Sequence, residues 1–222
     1  MPKNEHTFTK FDDELNNIHS KILEMFGLIE MQFKQSLEAL SLSDAGAARQ
    51  VIEQDYAVNQ LEVVIDRLCV TALARQQPAA SDLRSIIIST KMVVHLERIG
   101  DEAKKIARIS ERLAQLRKVP TQRLEGVLHA GELARQKLAE AIDSYSRLDT
   151  FAASELLASN GSVEDDFNDI FRQLIKSMSD HPRTITSSLD ILFVAKSIES
   201  IGKHIRHIAQ LIVDASNRYT GN

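Results

Sequence analysis

The sequence predicts an all-α protein made of two tandem antiparallel three-helix bundles. Three observations carry that expectation. Apolar residues recur at helical spacing through nearly the whole chain. Glycine (8) and proline (4) are scarce among 222 residues, whereas a sheet protein of this size needs turn residues between many short strands. The pattern also repeats: a shift of 102 residues lays Ser85 on Ser187, Glu97 on Glu199, Ile99 on Ile201 and Gly100 on Gly202.

Taken in order, residues 1–10 are polar and expected to fray. From Phe11 a first helix carries Leu15, Ile18, Ile22, Met25, Phe26, Ile29, Phe33, Leu37 and Leu40 on one face and ends near Leu42. Ser43 or Asp44 can cap the second, which runs to about Arg75. Pro78 marks the next break, because proline suits the first turn of a helix and not its middle. Ser81 or Asp82 starts a third helix that continues to about Arg117. Val119–Pro120–Thr121 is the clearest boundary, separating a first repeat over 1–118 from a second over 121–217, with 218–222 a disordered tail. Leu124, Leu128, Leu133, Leu138 and Ile142 define a fourth helix, and Asp149 turns the chain into a fifth. Asn160–Gly161–Ser162 interrupts that fifth helix, where glycine costs about 1 kcal/mol, so a kink or break is expected there. Asp180–His181–Pro182 precedes a sixth helix running to about Asn217.

Composition narrows the function. A net charge of −4 points to no nucleic-acid partner, whose phosphates call for a basic protein surface. The single cysteine, Cys69, lies in an apolar stretch and reads as an inert buried thiol, compatible with a reducing cytoplasm. No run reaches the ~20 apolar residues of a membrane span, and the N-terminal residues carry no apolar signal segment, so no membrane insertion is expected. No Gly-rich phosphate loop, HExxH or GxSxG motif occurs, and no catalytic residue is assigned.

The chemistry lies in carboxylates. Glu97 and Asp101 are four residues apart on the third helix, and Glu62 and Asp66 repeat that spacing on the second. Four carboxylates brought together repel unless neutralised, and a cation with oxygen ligands does that directly. With no histidine or thiolate in the set, magnesium, manganese, calcium or iron suits it better than structural zinc. The competing reading is an ordinary acidic face paired with Arg98, Lys104 and Lys105. Gly100 allows another backbone or an ion to come close. In the second repeat the equivalent positions are Glu164, Asn168, Glu199 and Lys203, so two carboxylates are lost. Lys203 is expected to replace the cation by bridging Glu199 and Glu164; a solvated lysine in a decayed site is the alternative. His204 and His207, one turn apart, could ligate with Glu199 or simply cap and solvate their helix. His95, off the face of Glu97, is expected to pack or hydrogen-bond. Asp165 and Asp169 flank the face of Glu164 and read as solvated. Arg84 reads as part of a structural hinge. Lys104, Lys105, Arg108, Arg112, Arg117 and Lys118 read as a solvated basic face, with an acidic docking partner as the alternative.

EQDYAVNQLEVVIDRLCV at 53–70, QQPAASDLR at 76–84 and ERIGDEAKKIA at 97–107 together resemble the PhoU family of phosphate-regulatory proteins. HPRTITSSLDILFVAKSIESIGKHIRHIAQLI at 181–212 resembles that family's second repeat. The resemblance spans nearly the whole chain. It implies a duplicated three-helix fold and a cytoplasmic homodimer without enzymatic activity, acting at the inner face of the membrane. It implies negative regulation of the phosphate-starvation response and phosphate uptake, through contacts with the phosphate ABC-transporter ATPase and a phosphate-sensing histidine kinase. It also implies iron, zinc or another divalent cation at Glu62, Asp66, Glu97 and Asp101. Asn168 and Lys203 depart from the family pattern and put a second metal at Glu164 and Glu199 in doubt, as in a divergent paralogue. A metal-storing or metal-sensing protein and a carboxylate-bridged metalloenzyme are the competing classes.

Overall fold

The computed structural model describes residues 5–76, 80–115, 121–159 and 163–216. Among these residues the chain is helical throughout, with no strand. The helices are α1 (Glu5–Leu42), α2 (Ala45–Gln76), α3 (Ala80–Gln115), α4 (Glu125–Arg147), α5 (Thr150–Ala158), α6 (Val163–Asp180) and α7 (Ile185–Ser216), with short 3₁₀ turns at Thr121–Arg123 and Pro182–Thr184. At ~1.5 Å per residue the longest are roughly 50–55 Å long. Pro78, Val119–Pro120, Asn160–Gly161–Ser162, Arg117, Lys118 and the tail lie outside the described residues.

The turns follow local chemistry. Asp44 accepts hydrogen bonds from the amides of Gly46 (2.8 Å) and Ala47 (3.0 Å), capping α2 while Ser43 takes a left-handed backbone. Asp149 caps α5 through Ala152 N at 3.0 Å. The expected interruption of the fifth helix is present: Ala158 ends α5, Ser159 is extended, and α6 starts at Val163. One boundary differs from expectation. α1 begins at Glu5 rather than near Phe11, because extending an already nucleated helix costs little even without apolar anchors.

α1, α2 and α3 form one bundle; α4, the α5–α6 pair and α7 form the second. One large apolar core runs through both, from Ile18, Phe26 and Phe33 to Ile198, Ile205 and Ile208, beside a small separate cluster of Ala39, Ala48, Val51 and Ala107. The bundles join along two seams. α1 meets α4 where Gly131 lets the helices close: a Cβ there would lie 2.7 Å from Leu37 Cδ2. Tyr145 stacks on His19 with ring centroids 4.6 Å apart at the same seam. α3 meets α7 antiparallel, with Arg112 paired to Asp190 at 2.7 Å near one end and His95 against His204 at the other.

Candidate functional site

The carboxylate face is set by how α2 passes α3. Lys104 Nζ reaches Asp55 at 2.5 Å, and Gly100 packs beside Val58, so the two helices run antiparallel in a fixed register. That register puts Glu62 level with Glu97. It puts Asp101 and Asp66 toward opposite ends of the face, about 12 Å apart along the helix axes at 1.5 Å per residue. Glu97 and Asp101 are hydrogen-bonded, and the field of Glu62 reaches Glu97. Burial, followed by the Asp101 carboxylate, pushes the Glu97 pKa up to about 6, while Arg98 at 3.5 Å opposes the rise. Glu97 and Asp101 are therefore brought together and Glu62 lies near enough for its field to reach Glu97, but the three carboxylates do not close round a common point, and Asp66 lies exposed beyond them. Crowded, proton-sharing carboxylates fit a hard cation, whose positive charge would relieve that repulsion.

At Gly100 the close approach is made by side chains rather than backbone: an added Cβ would meet Gln32 Oε1 and Val58 Cγ1 at 3.2 and 3.4 Å. Gln32 in turn donates to Asp55 at 3.1 Å, and Asn59 donates to the same carboxylate at 3.2 Å. Asp55 is only 2% exposed, so Lys104 completes a buried ion pair rather than joining a solvated basic face. Cys69 is buried, and burial followed by the field of Asp66 pushes its thiol up to about 11, which keeps it protonated and inert.

In the second repeat Glu199 is 5% exposed and held by two ammonium groups: Lys196 Nζ at 2.5 Å from one oxygen and Lys203 Nζ at 2.5 Å from the other. Lys203 also lies 3.5 Å from Glu164, so it stands between the two remaining carboxylates. Burial alone would raise the Glu199 pKa, but the hydrogen bonds from Lys196 and Lys203 outweigh it and hold the carboxylate below its ordinary value. A cavity of about 30 Å³ opens beside Glu164, Glu199 and Lys203. The partner helix has also moved. Gly202 packs against Val163, which the 102-residue shift matches to Leu61 and not to Val58, so α6 sits close to one turn away in register. Asn168 is exposed, as is Asp169, whose carboxylate is 3.6 Å from Arg172.

His204 and His207 do not turn to Glu199, whose oxygens the lysines already occupy. They meet His95 instead, across the seam between α3 and α7. His95 Nδ1 is 3.1 Å from His204 Nδ1, and the His95 and His207 rings stack at 4.9 Å. Burial, then the neighbouring His204 and His207, lowers the His95 pKa to about 4, and burial followed by His207 lowers that of His204.

Residues 22–110 and 127–212 match the family model of the PhoU domain, one match per repeat. The chain is 40% identical over 208 residues to the phosphate-specific transport system accessory protein PhoU homolog of Pseudomonas aeruginosa, covering 94% of this chain and 86% of that protein. It is 36% identical over 210 residues to the phosphate-specific transport system accessory protein PhoU of Escherichia coli K12, with coverage of 94% and 86%. The crystal structure of PhoU from P. aeruginosa superposes with a TM-score of 0.87 at 39% identity, covering 92% of this chain and 98% of that one. The phosphate transport system regulatory protein PhoU from Streptococcus pneumoniae shares the fold, with a TM-score of 0.85 at 23% identity and coverage of 96% and 99%.

Proposed function

Because the chain belongs to the PhoU family, we propose that it is a non-enzymatic accessory regulator of phosphate transport. In this reading it works in the cytoplasm and restrains both phosphate uptake and the phosphate-starvation response. It does so by contacting the ATPase of the phosphate ABC transporter and the phosphate-sensing histidine kinase. The observation that carries the reading is that both repeats match the family and that relatives at 36–40% identity over 94% of the chain are named for accessory roles in phosphate transport. No described helix is long and apolar enough to cross a membrane, which suits a protein that docks on a transporter. Tyr56, Val63 and Val70 are exposed on α2 at seven-residue spacing, an apolar stripe suited to the homodimer that this reading includes.

The test is genetic and biochemical. Deleting the gene should switch on a phosphate-starvation reporter in phosphate-rich medium, and the tagged protein should co-purify with the transporter ATPase and the kinase. A silent reporter in a strain with no second copy, or co-purification with neither partner, overturns the reading.

The hydrogen-bonded Glu97–Asp101 pair beside Glu62 supports a second reading, in which a divalent cation such as iron, zinc or manganese binds in the first repeat. Glu62, Glu97 and Asp101 would hold one ion, and Asp66 would reach only a second ion further along the face. Lys203 stands in for a cation at Glu164 and Glu199. Elemental analysis of protein purified from cells tests this: a metal content unchanged in Glu97→Gln/Asp101→Asn protein overturns it.

A further inference from the structure

We propose that His95, His204 and His207 form a binding site for one borderline divalent transition-metal ion, such as Zn(II), Co(II) or Ni(II), at the seam joining the two repeats. Each ring offers one nitrogen, and the three nitrogens lie within 4.8 Å of one another. An ion bound tetrahedrally at ~2.0–2.1 Å from each imidazole sets its ligand nitrogens about 3.3 Å apart. His95 Nδ1 and His204 Nδ1, at 3.1 Å, are already close to that spacing. The third ring, His207, is exposed and stacked on His95 with centroids 4.9 Å apart, so a modest ring rotation closes the remaining distance.

The tautomer of His207 is prepared. Its Nδ1 lies 2.8 Å from the Lys203 carbonyl oxygen, which can only accept, so Nδ1 carries the hydrogen and Nε2 the lone pair. A backbone carbonyl holding the far ring nitrogen is a recurrent support of metal-ligating histidines. In the ion-free state one of the two facing Nδ1 atoms must donate to the other. Ion binding moves that hydrogen to Nε2 of the same ring, so both neutral rings present lone pairs and no proton is lost.

This site is separate from the carboxylate face. His95 and Glu97 are two residues apart on one helix, about 200° round its axis, so one looks to α7 and the other to α2. Glu102, Arg98 and Lys105 are the charged side chains whose fields reach His204, and Glu102 is paired with Lys105 at 2.9 Å. The duplication sharpens the point. Under the 102-residue shift His204 and His207 answer to Glu102 and Lys105, and His95 to Ser197. The equivalent place across the seam therefore holds an ion pair and a serine, and the ligand set occurs once. An ion bound here would tie α3 of one repeat to α7 of the other.

Titration of the untagged full-length protein with Co(II) alone tests the proposal through the visible d–d absorption of the bound ion. The expected result is a tetrahedral-type band saturating near one equivalent and displaced by Zn(II). His204→Ala and His207→Ala should each weaken binding at least ~10-fold, since loss of a mere supporting group already costs that much. Glu97→Gln/Asp101→Asn protein should keep the band, which separates this site from the carboxylate reading. No visible band, a band unchanged in His207→Ala, or one lost with the carboxylate pair overturns the proposal. His207 is exposed, so its variant remains informative if substitutions at His95 disturb folding.

Discussion

In the first repeat, half-buried Glu97 meets Asp101 and Glu62, and burial with like charge drives its pKa up to about 6. In the second repeat, Glu199 stands at the matching position, more deeply buried, and its pKa falls because Lys196 and Lys203 grip both oxygens. The backbone frame is the same, an antiparallel helix pair with a glycine three residues after the glutamate. Three side-chain changes and one slip of register separate a crowded carboxylate cluster from one neutralised by the chain itself. Duplicated architecture conserves the scaffold cheaply, whereas the electrostatics of a site can invert through a few side-chain differences.

The largest expected effect lies in a feature only the first repeat has. Lys104→Met strips the ammonium from Asp55, leaving a carboxylate that is 2% exposed with only Gln32 and Asn59 to solvate it. Breaking a buried pair from one side costs roughly 3–5 kcal/mol, and partial exposure of Lys104 places this case near about 3. Arg206→Met, the counterpart under the 102-residue shift, removes an exposed side chain, with Leu157 at the position that answers to Asp55, and should cost under ~0.5 kcal/mol. Urea unfolding of the two variants measures the contrast, and equal losses would break it.

Next in size is conversion of the second site toward the first. Lys203→Asp places a carboxylate against Glu199, with Lys196 still attached, and should lower stability by about 2 kcal/mol without divalent cations. Millimolar Mn(II) should then restore the loss, because binding at 100 times Kd adds about 2.7 kcal/mol. The unfolding midpoint with and without Mn(II) reads this directly. If added cation does nothing for Lys203→Asp, the register of α6 rather than the charge of Lys203 is what sets the second site apart.

The fold was readable because long helices repeat one apolar face, and because Asp44, Asp149 and the break between Ala158 and Val163 punctuate it locally. The positions of Glu62, Glu97 and Asp101 followed from helical spacing plus antiparallel packing. Asp66 did not, since spacing within one helix says nothing of register against the next. Lys104 looked solvated within a Lys–Lys run, and only the buried Asp55 opposite reveals its partner. His95 stands 109 residues from His204, and neither has a local motif; their meeting depends on the antiparallel α3–α7 seam. The available signal was the repeat itself, because two equivalent helices packed about a pseudo-twofold axis bring the N-terminal half of one against the C-terminal half of the other.

The two repeat glycines offer a smaller contrast. Alanine at either position gains up to ~1 kcal/mol of helix propensity. At Gly100 the new Cβ meets the far end of Gln32 at 3.2 Å, a chain that can yield, so Gly100→Ala should be near neutral. At Gly202 it meets Val163 Cβ at 3.0 Å and Cγ2 at 3.2 Å, a stiff β-branched side chain on the facing helix. Gly202→Ala should therefore lose about 1 kcal/mol net by prying α6 from α7. Thermal unfolding of both variants decides whether the second repeat is the more tightly closed.

The gentlest probe is pH in cation-free buffer. The Glu97 pKa is about 6 in the folded protein against an ordinary 4.5, so between these values the folded state holds more protons than the unfolded. Stability from this group consequently falls as pH rises through that window and stays lower above it. His95 has the opposite sign: with a folded pKa near 4 against 6.5, the unfolded state binds more protons between those values, so stability rises with pH. Glu199, held below its ordinary value, likewise contributes stability that is lost as pH falls through its folded pKa. Between pH 4.5 and 6 the Glu97 and His95 contributions oppose each other, and the native protein should show a shallow profile. Glu97→Gln should steepen the rise with pH, and His95→Asn should flatten or reverse it, each by no more than ~1.4 kcal/mol per pH unit. Urea midpoints at half-unit steps from pH 4 to 7 separate the three curves. Superimposable curves would show that Glu97 is not crowded by its neighbours, and the contrast with Glu199 would then rest on the lysines alone.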